Sequence, residues 1–138
     1  MKTLYTAEVS ATGGRSGHVK SSDGVIDMAV NVPEGLGGKK GSTNPEQLFA
    51  AGYAACFQSA LLLIAGKKKI RLEPDSTVTA HVSLLQLDNQ SYGLGVKLVV
   101  DVKGLDHDEA LQLVNEAHEV CPYSVGTRGN IDVQLEVV

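Results

Sequence analysis

Two cysteines are the most reactive side chains in the sequence, and their positions suggest thiol redox chemistry. Cys56 lies inside a long apolar segment, and Cys121 stands immediately before Pro122. A backbone that can shift where a helix stops suits a cysteine whose Cα must come within about 4.4–6.8 Å of its partner's. A buried thiol stays inert unless a cation stabilises the thiolate. In the alternative interpretation, Cys56 is a small core residue and Cys121 fills a helix end.

Arginine is scarce, and one arginine stands in an unusual setting. Arg15 projects from the segment Gly-Gly-Arg-Ser-Gly, whose glycines allow close approach of the loop to a pocket. A solvated arginine in a turn remains an equally simple interpretation. A phosphate cradle is disfavoured because no helix follows the loop to offer its N-terminus to an anion. Glu46 has a sufficient structural explanation as a carboxylate in the first turn of a helix.

The histidines offer weaker alternatives. His118 and Cys121 are three residues apart on one predicted helix and could join Cys56 around a metal, but a convincing fourth ligand is missing. His118 stands between Glu116 and Glu119, which favours a solvent-facing position. The other histidines fall in predicted strands or at a helix cap, and none has the spacing of a Ser-His-Asp or Cys-His-Asn site: His18, His81 and His107.

The N-terminal third is predicted to form short strands and a loop. Residues 4–9 are expected to form an opening strand, followed by a glycine-rich turn. Strands at residues 18–21 and 25–30 flank Asp23-Gly24, which is a strong hairpin signal. The glycines and proline of residues 31–41 predict a loop.

A long helix is predicted to carry Cys56. Asn44 suits the N-cap and Pro45 the first helical position, and the helix is expected to run to about Lys67. Residues 48–65 are apolar on every side, so the helix must be covered all round, as a core helix rather than a membrane span. One further helix and one sheet are too little to bury this helix on all sides, which predicts that a second copy of the chain covers it in a homodimer. Small residues would allow close approach: Ala50, Ala51, Gly52, Ala54 and Ala55.

The C-terminal half predicts a hairpin, a helix and a strand. Apolar and polar residues alternate over 77–84 and 92–102, which indicates a long antiparallel hairpin. Asp106 and Glu109 have capping-box spacing for a helix that Pro122 ends. Residues 131–137 alternate again as a last strand. The order predicts a single α+β domain over residues 1–138, with antiparallel sheet rather than βαβ winding.

The amino-acid composition excludes several classes of protein for this chain. Apolar residues make up 43% and charged residues 20%, which excludes intrinsic disorder. A net charge of −4, with four tyrosines, two phenylalanines and no tryptophan, disfavours nucleic-acid binding. Two cysteines are too few for a stapled secreted scaffold, and the N-terminal residues lack an apolar signal region. A cytoplasmic location without a membrane partner is therefore expected.

Three motifs resemble a known family. The segment Thr-Asn-Pro-Glu-Gln-Leu-Phe-Ala-Ala-Gly-Tyr-Ala-Ala-Cys-Phe at residues 43–57 is similar to the signature of the Ohr (organic hydroperoxide resistance) branch of the OsmC/Ohr thiol peroxidases. Residues 11–17 and 121–124 match in the same order, so the resemblance covers essentially the whole chain. It implies an α+β fold with antiparallel sheets around central helices and an intertwined homodimer. One departure is Val125-Gly126, where many relatives carry a polar asparagine next to a small residue.

The resemblance also implies roles for individual residues. Cys56 matches the peroxidatic cysteine and Cys121 the resolving cysteine. Arg15 matches the guanidinium that holds the thiolate, and Glu46 the carboxylate that orients that arginine. The implied reductant is an external dithiol on a lipoylated protein, and the cysteine chemistry requires no metal or bound cofactor.

Neighbouring apolar residues are expected to favour bulky organic hydroperoxides over hydrogen peroxide: Leu36, Phe49, Tyr53 and Phe57. Two alternatives stay open at this point. The chain could belong to the OsmC sister branch, with the same chemistry and a different substrate range. It could also be a dimeric thiol sensor or small-molecule binding protein without turnover, although an arginine positioned by a dedicated carboxylate favours the enzyme.

Overall fold

The first 48 residues carry a small three-stranded sheet. The computed structural model describes residues 1–138, and its elements fall into two units, residues 1–48 and residues 49–138. Strands β1 (Val9–Thr12), β2 (Gly17–Ser21) and β3 (Asp27–Val30) form an antiparallel sheet in that order. The strand predicted at residues 4–9 is therefore wrong, because pairing begins at Val9 opposite Ser21, where β2 ends.

The Asp23-Gly24 hairpin is confirmed between β2 and β3. The Asp23 carboxylate accepts hydrogen bonds from the Ser21 hydroxyl and the Val25 backbone N–H, which holds the turn. The predicted loop at residues 31–41 contains one short 3-10 turn, Glu34–Leu36. Few apolar side chains are covered in this unit: Val30 is buried, whereas Leu4, Tyr5 and Leu36 are exposed.

The predicted long helix is confirmed as α1 (Pro45–Lys67), which is continuous through Gly52. The Asn44 side chain accepts a hydrogen bond from the Gln47 backbone N–H at 2.9 Å, as an N-cap does. Length and composition would allow α1 to cross a membrane. Several of its side chains instead pack in the core of the second unit, among them Tyr53, Phe57 and Leu61.

The second unit contains a mixed sheet. Strands β4 (Thr77–Gln86) and β5 (Tyr92–Asp101) form the predicted antiparallel hairpin. Strand β6 (Val133–Val137) pairs with β5 in parallel, so the expectation of purely antiparallel sheet is wrong. The chain between β5 and β6 is helical. This crossover carries the chain back to the end of the sheet at which β5 begins, so β6 runs in the same direction as β5.

Two helices fill this crossover. Helix α2 (His107–Val120) begins at its predicted cap, where the Asp106 carboxylate accepts the Glu109 N–H. The proline following α2 also starts α3 (Pro122–Thr127), which the sequence did not predict. Proline lacks an N–H but fits the first turn of a helix, so one residue both limits α2 and opens α3. Cys121 makes the corner between them.

The core of the second unit lies between α1, α2 and the sheet. Its fully covered side chains include Leu98, Leu113 and Val114. Opposite its buried face, α1 exposes Leu62 and Leu63, which are 54% and 55% accessible. The residues of a single chain therefore leave one apolar side of this helix uncovered.

Candidate active site

Arg15 and Glu46 form a bidentate ion pair. Arg15 Nη1 donates to Glu46 Oε2 at 2.8 Å, and Nη2 donates to Oε1 at 2.7 Å. The hydrogen bond from Arg15 lowers the pKa of the Glu46 carboxyl, against the opposing effect of burial. The arginine side chain remains 42% exposed and that of the glutamate 14%. Both nitrogens that face Glu46 are engaged, and the remaining N–H groups of the guanidinium are available to a further anion.

The loop that presents Arg15 depends on glycine. Gly13 has a φ of 74°, in the left-handed region. At Gly17 a Cβ atom would lie only 1.7 Å from the carbonyl oxygen of Thr12, so any side chain would collide with the backbone. The glycines therefore allow the tight 3-10 turn that carries Arg15 outward.

The two cysteines lie side by side in the second unit. Cys121 Sγ is 3.7 Å from Cys56 Sγ, and both are free thiols. Cys121 is fully buried at the corner between α2 and α3, whereas Cys56 is half-buried on α1. A disulfide bond is about 2.05 Å long, so the sulfur atoms need to approach by only about 1.7 Å to bond.

The surroundings of Cys56 do not by themselves create a thiolate. Burial raises the pKa of the Cys56 thiol above its ordinary value, and the nearby Cys121 thiol raises it further. A hydrogen bond from the Tyr123 backbone N–H acts in the opposite direction. No cation is among the groups that shift this pKa, although a reactive buried thiol needs one.

Tyr123 packs closely against the helix that carries Cys56. A Cβ atom at Gly52 would lie 2.5 Å from the Tyr123 hydroxyl oxygen, so the absence of a side chain there makes room for the ring. The Tyr123 ring centroid is 5.9 Å from that of Phe49 and 5.4 Å from that of Tyr53. An aromatic cluster therefore stands on α1 within two turns of the peroxidatic candidate.

A buried hydroxyl links three segments around the cysteines. Ser124 Oγ lies 2.8 Å from Tyr53 Oη and 2.8 Å from His118 Nδ1. The expectation that His118 faces solvent is wrong, because position 118 follows buried Val114 by one helical turn and is half-buried. Burial, then the charge of Arg128, lowers the pKa of His118, which favours the neutral form of its ring.

The predicted pocket residues differ in their exposure. Tyr53 and Phe57 are fully buried, because they lie one turn apart on the inner face of α1, and they form core contacts instead of an open pocket. Phe49 is half-buried, and Leu36 is 64% exposed. No group of three or more His, Cys, Asp or Glu side chains is placed to hold a metal ion.

The structure thus brings together each of the two predicted pairs, Arg15 with Glu46 and Cys56 with Cys121. Sequence reasoning missed the Tyr123 N–H and the Ser124 hydroxyl. One signal was available: His118 and Ser124 stand three residues before and three residues after Cys121. A prediction of helix α3 would have been needed to show that the side chains of His118 and Ser124 meet.

The chain is similar to proteins of a known family. The OsmC-like protein family matches residues 37–136. The organic hydroperoxide resistance protein OhrA of Bacillus subtilis is 54% identical over 137 residues, which cover 97% of this chain and 96% of that protein.

Solved structures give the same relationship. An organic hydroperoxide resistance protein from Legionella pneumophila superposes with a TM-score of 0.92 at 51% identity, covering 99% of this chain and 98% of that one. OhrB of Bacillus subtilis gives a TM-score of 0.90 at 49% identity, over 99% and 100% of the two chains. The α+β fold with two small sheets and three helices is therefore of the OsmC/Ohr type. The chain belongs to the OsmC/Ohr family and, within it, to the Ohr branch of organic hydroperoxide resistance proteins.

Proposed function

We propose that this chain is a cysteine-based peroxidase that reduces organic hydroperoxides to alcohols. The carrying observation is the 3.7 Å separation of the sulfurs of buried Cys121 and half-buried Cys56, which packs against the core. Two thiols at that distance can exchange between dithiol and disulfide with little movement of the backbone. The names of the relatives, which refer to organic hydroperoxide resistance, support the substrate class.

The proposed reaction has three steps. The Cys56 thiolate attacks the outer oxygen of the hydroperoxide, the O–O bond breaks, and the alkoxide leaves and takes up a proton to become the alcohol. Cys56 is then a sulfenic acid, and the Cys121 thiol displaces its hydroxyl as water to form the disulfide. An external dithiol, proposed to be on a lipoylated protein in the cytoplasm, reduces the disulfide by thiol exchange.

A cation must lower the pKa of Cys56 for the first step to run near neutral pH. Burial raises that pKa, and each unit of depression requires about 1.4 kcal/mol of preferential thiolate stabilisation. The Arg15 guanidinium is the proposed source, because its bidentate bond to Glu46 fixes the plane of the fork and leaves N–H groups free. Glu46 is the proposed orienting carboxylate.

The site is proposed to be shared between two copies of the chain. Glu46 and Cys56 are ten residues apart on one continuous helix, which separates them by about 15 Å along its axis. A guanidinium that bonded both groups would need them within roughly 6–7 Å of each other. Antiparallel packing of α1 against its copy, centred near Ala51, would bring Glu46 of one chain to Cys56 of the other.

Bulky apolar substrates are proposed to bind against the aromatic cluster beside Cys56. Phe49 is half-buried and Tyr123 is 37% exposed, so both present ring surface to an entering molecule. Leu36 is exposed, and we propose that it adds apolar surface for the substrate when two copies of the chain form the site. Burial of apolar surface stabilises the binding of a substrate that has an alkyl group. Hydrogen peroxide has no alkyl group, so its binding gains no such stabilisation.

Steady-state peroxide consumption tests the proposed function. The protein is supplied with dihydrolipoamide, and consumption of cumene hydroperoxide is compared with that of hydrogen peroxide. We expect sustained turnover with a clear preference for the organic peroxide. Oxidation that stops after one equivalent, with dihydrolipoamide present in excess, would instead indicate a sensor and overturn the proposal.

Subunit mixing tests the shared site. Cys56→Ser and Glu46→Ala chains, each inactive alone, are mixed under conditions where subunit exchange is verified by mass. A shared site predicts that each mixed dimer recovers about one working site. Absence of any recovery in verified mixed dimers would contradict the arrangement.

A further inference from the structure

The hydroxyl of Ser124 joins the segments that carry the two cysteines. Ser124 lies on α3, one turn after Cys121, and its Oγ is 2.8 Å from both Tyr53 Oη and His118 Nδ1. Tyr53 is on α1, one turn before Cys56, and His118 is on α2, one turn before Cys121. A single buried oxygen therefore ties together the three helices that meet at the sulfur pair.

We infer that Ser124, held between Tyr53 and His118, is a positioning residue that keeps Cys121 within bonding reach of Cys56. This inference rests on the proposed function, because it assigns a role in the step that converts the Cys56 sulfenic acid to a disulfide. Ser124 touches neither sulfur atom in this role. It acts by holding the backbone between α2 and α3, where Cys121 lies.

The hydrogen-bonding capacity of the three groups explains why the link is specific. A serine hydroxyl has one hydrogen to donate and can accept from others, so it donates to one neighbour and accepts from the second. Ser124 and Tyr53 are fully buried, and no buried side-chain nitrogen or oxygen in the chain lacks a partner. Removal of the hydroxyl would leave the buried Tyr53 hydroxyl with only a longer contact, 3.4 Å to Thr127 Oγ1, and would leave Nδ1 of half-buried His118 without its hydrogen bond.

The link matters for rate because disulfide formation depends on proximity. Well-oriented groups react as though at very high concentration, and this advantage falls with the fraction of time spent in the reactive geometry. Helix α3 has only six residues and little internal support. Its attachment through Ser124 restricts the motion of Cys121, and Thr127 Oγ1 adds a longer contact, 3.4 Å to Tyr53 Oη.

Closure of the disulfide can be measured without a peroxide. Oxidised glutathione reacts with the Cys56 thiolate to give a mixed disulfide and one glutathione. Attack by Cys121 then releases the second glutathione and forms the internal disulfide. Rapid acid quenching, alkylation and intact mass separate the two steps, and a parallel series with cumene hydroperoxide separates sulfenic acid formation from its resolution.

The decisive variant is Ser124→Ala, with Ser76→Ala as its matched control. Ser76 is also buried, and its hydroxyl accepts a hydrogen bond from the Lys103 backbone N–H and takes no part in the link between Ser124, Tyr53 and His118. We expect Ser124→Ala to slow the closing step about tenfold, the effect of losing one buried hydrogen bond, and to slow the first step less. Ser76→Ala should close at the wild-type rate.

Two changes at His118 test the same link at a half-buried position. Asparagine places an amide group near the position of Nδ1, so His118→Asn should recover most of the closing rate. His118→Leu cannot form the bond and should slow closure like Ser124→Ala. These variants keep the inference testable if Ser124→Ala does not fold.

The two series separate the inference from the proposed function. If the wild type closes rapidly with glutathione disulfide and Ser124→Ala closes slowly, but the wild type consumes no hydroperoxide, the proposed function fails and the positioning role stands. Wild-type closing rates in Ser124→Ala and His118→Leu would overturn the positioning role, whatever the peroxide series shows. Equal slowing by Ser76→Ala would also overturn it, because the effect would then reflect general destabilisation.

Discussion

The Arg15–Glu46 pair and the Cys56–Cys121 pair are built in opposite ways. The ion pair joins the turn after β1 to the first turn of α1, in the unit where Val30 is the buried apolar residue, and it is held by two charge-assisted hydrogen bonds. The cysteines lie against a packed core, and their separation is set by the contacts of three helices. One pair therefore depends on electrostatics near solvent and the other on packing.

Each region lacks what the other has. The thiols are close enough to bond, but the groups that shift the pKa of Cys56 include no cation. The guanidinium carries charge and free N–H groups, but its unit offers little apolar cover. If the proposed function holds, removal of either thiol should stop the reaction, whereas a conservative change in the arginine region, Arg15→Lys, should slow it.

The largest effect is expected for Cys56→Ser. A serine hydroxyl is nearly isosteric with the thiol and has no stabilised anion at neutral pH, so peroxide consumption should fall to the uncatalysed rate. Circular dichroism and thermal unfolding should match the wild type, because the helix and the core are unchanged. Measurable catalytic turnover in this variant would contradict the role of Cys56.

Cys121→Ser should stop the reaction one step later. The first hydroperoxide is expected to be reduced, after which Cys56 accumulates as sulfenic acid and then as more oxidised forms. Intact mass after one and after many equivalents of peroxide distinguishes these species. Sustained turnover equal to that of the wild type would contradict the two-cysteine scheme.

A smaller but measurable effect is expected for Arg15→Lys. An ammonium group cannot bond a thiolate and the Glu46 carboxylate together through a planar fork, so the pKa of Cys56 should rise and peroxide reduction near neutral pH should slow. The pH dependence of alkylation reports this pKa. Arg71→Lys, at an exposed position without an ion pair, is the matched control. An unchanged pKa with wild-type peroxide reduction would show that Arg15 is only a loop residue.

The same contrast explains which parts of the structure could be predicted from sequence. Helix α1 has a local start signal in Asn44-Pro45, and the β4–β5 hairpin has a long alternation, so both were predicted correctly. The start of β1 depends on where its partner strand ends, and the direction of β6 depends on the crossover before it. Neither depends on residues within the strand itself.

The site residues divide in a similar way. Arg15, Glu46 and the cysteines were identified by residue type and by the family motifs, and their pairing distances are now described. Ser124 and the Tyr123 N–H were missed because α3 has six residues, too few for a periodic pattern. Backbone donors and buried hydroxyls acquire a role only through tertiary contacts, which one sequence does not display.

Two glycines of α1 sharpen the contrast between packed and open surfaces. At Gly52 a methyl group would meet the Tyr123 ring, so Gly52→Ala should destabilise the protein by about 1–3 kcal/mol and slow disulfide closure. At Gly66 nothing within the chain lies within 4 Å, so Gly66→Ala should stabilise the helix by about 0.4–1 kcal/mol. Urea unfolding of both variants measures the free energy of unfolding, which should fall for Gly52→Ala and rise for Gly66→Ala. Equal effects at the two positions would show that Tyr123 moves aside freely.

The smallest expected effect is the contribution of the ion pair to stability. The hydrogen bond from Arg15 lowers the pKa of Glu46 in the folded chain, so the pair stabilises the fold above the ordinary carboxyl pKa. That contribution is lost as the pH falls through the lowered value and Glu46 becomes protonated. Because the arginine side chain is 42% exposed and screened by solvent, the contribution should lie within about 0.2–1 kcal/mol.

Urea unfolding of the wild type and Glu46→Gln, at neutral pH and in acid, isolates this contribution from the other carboxylates. The stability difference between the two proteins should be largest at neutral pH, decrease with added salt, and shrink as the pH is lowered. A difference that is constant with pH would mean that the glutamate acts through its shape and its hydrogen bonds alone. The orienting role proposed for Glu46 would then have to be independent of its charge, and Glu46→Gln should retain the wild-type pKa of Cys56.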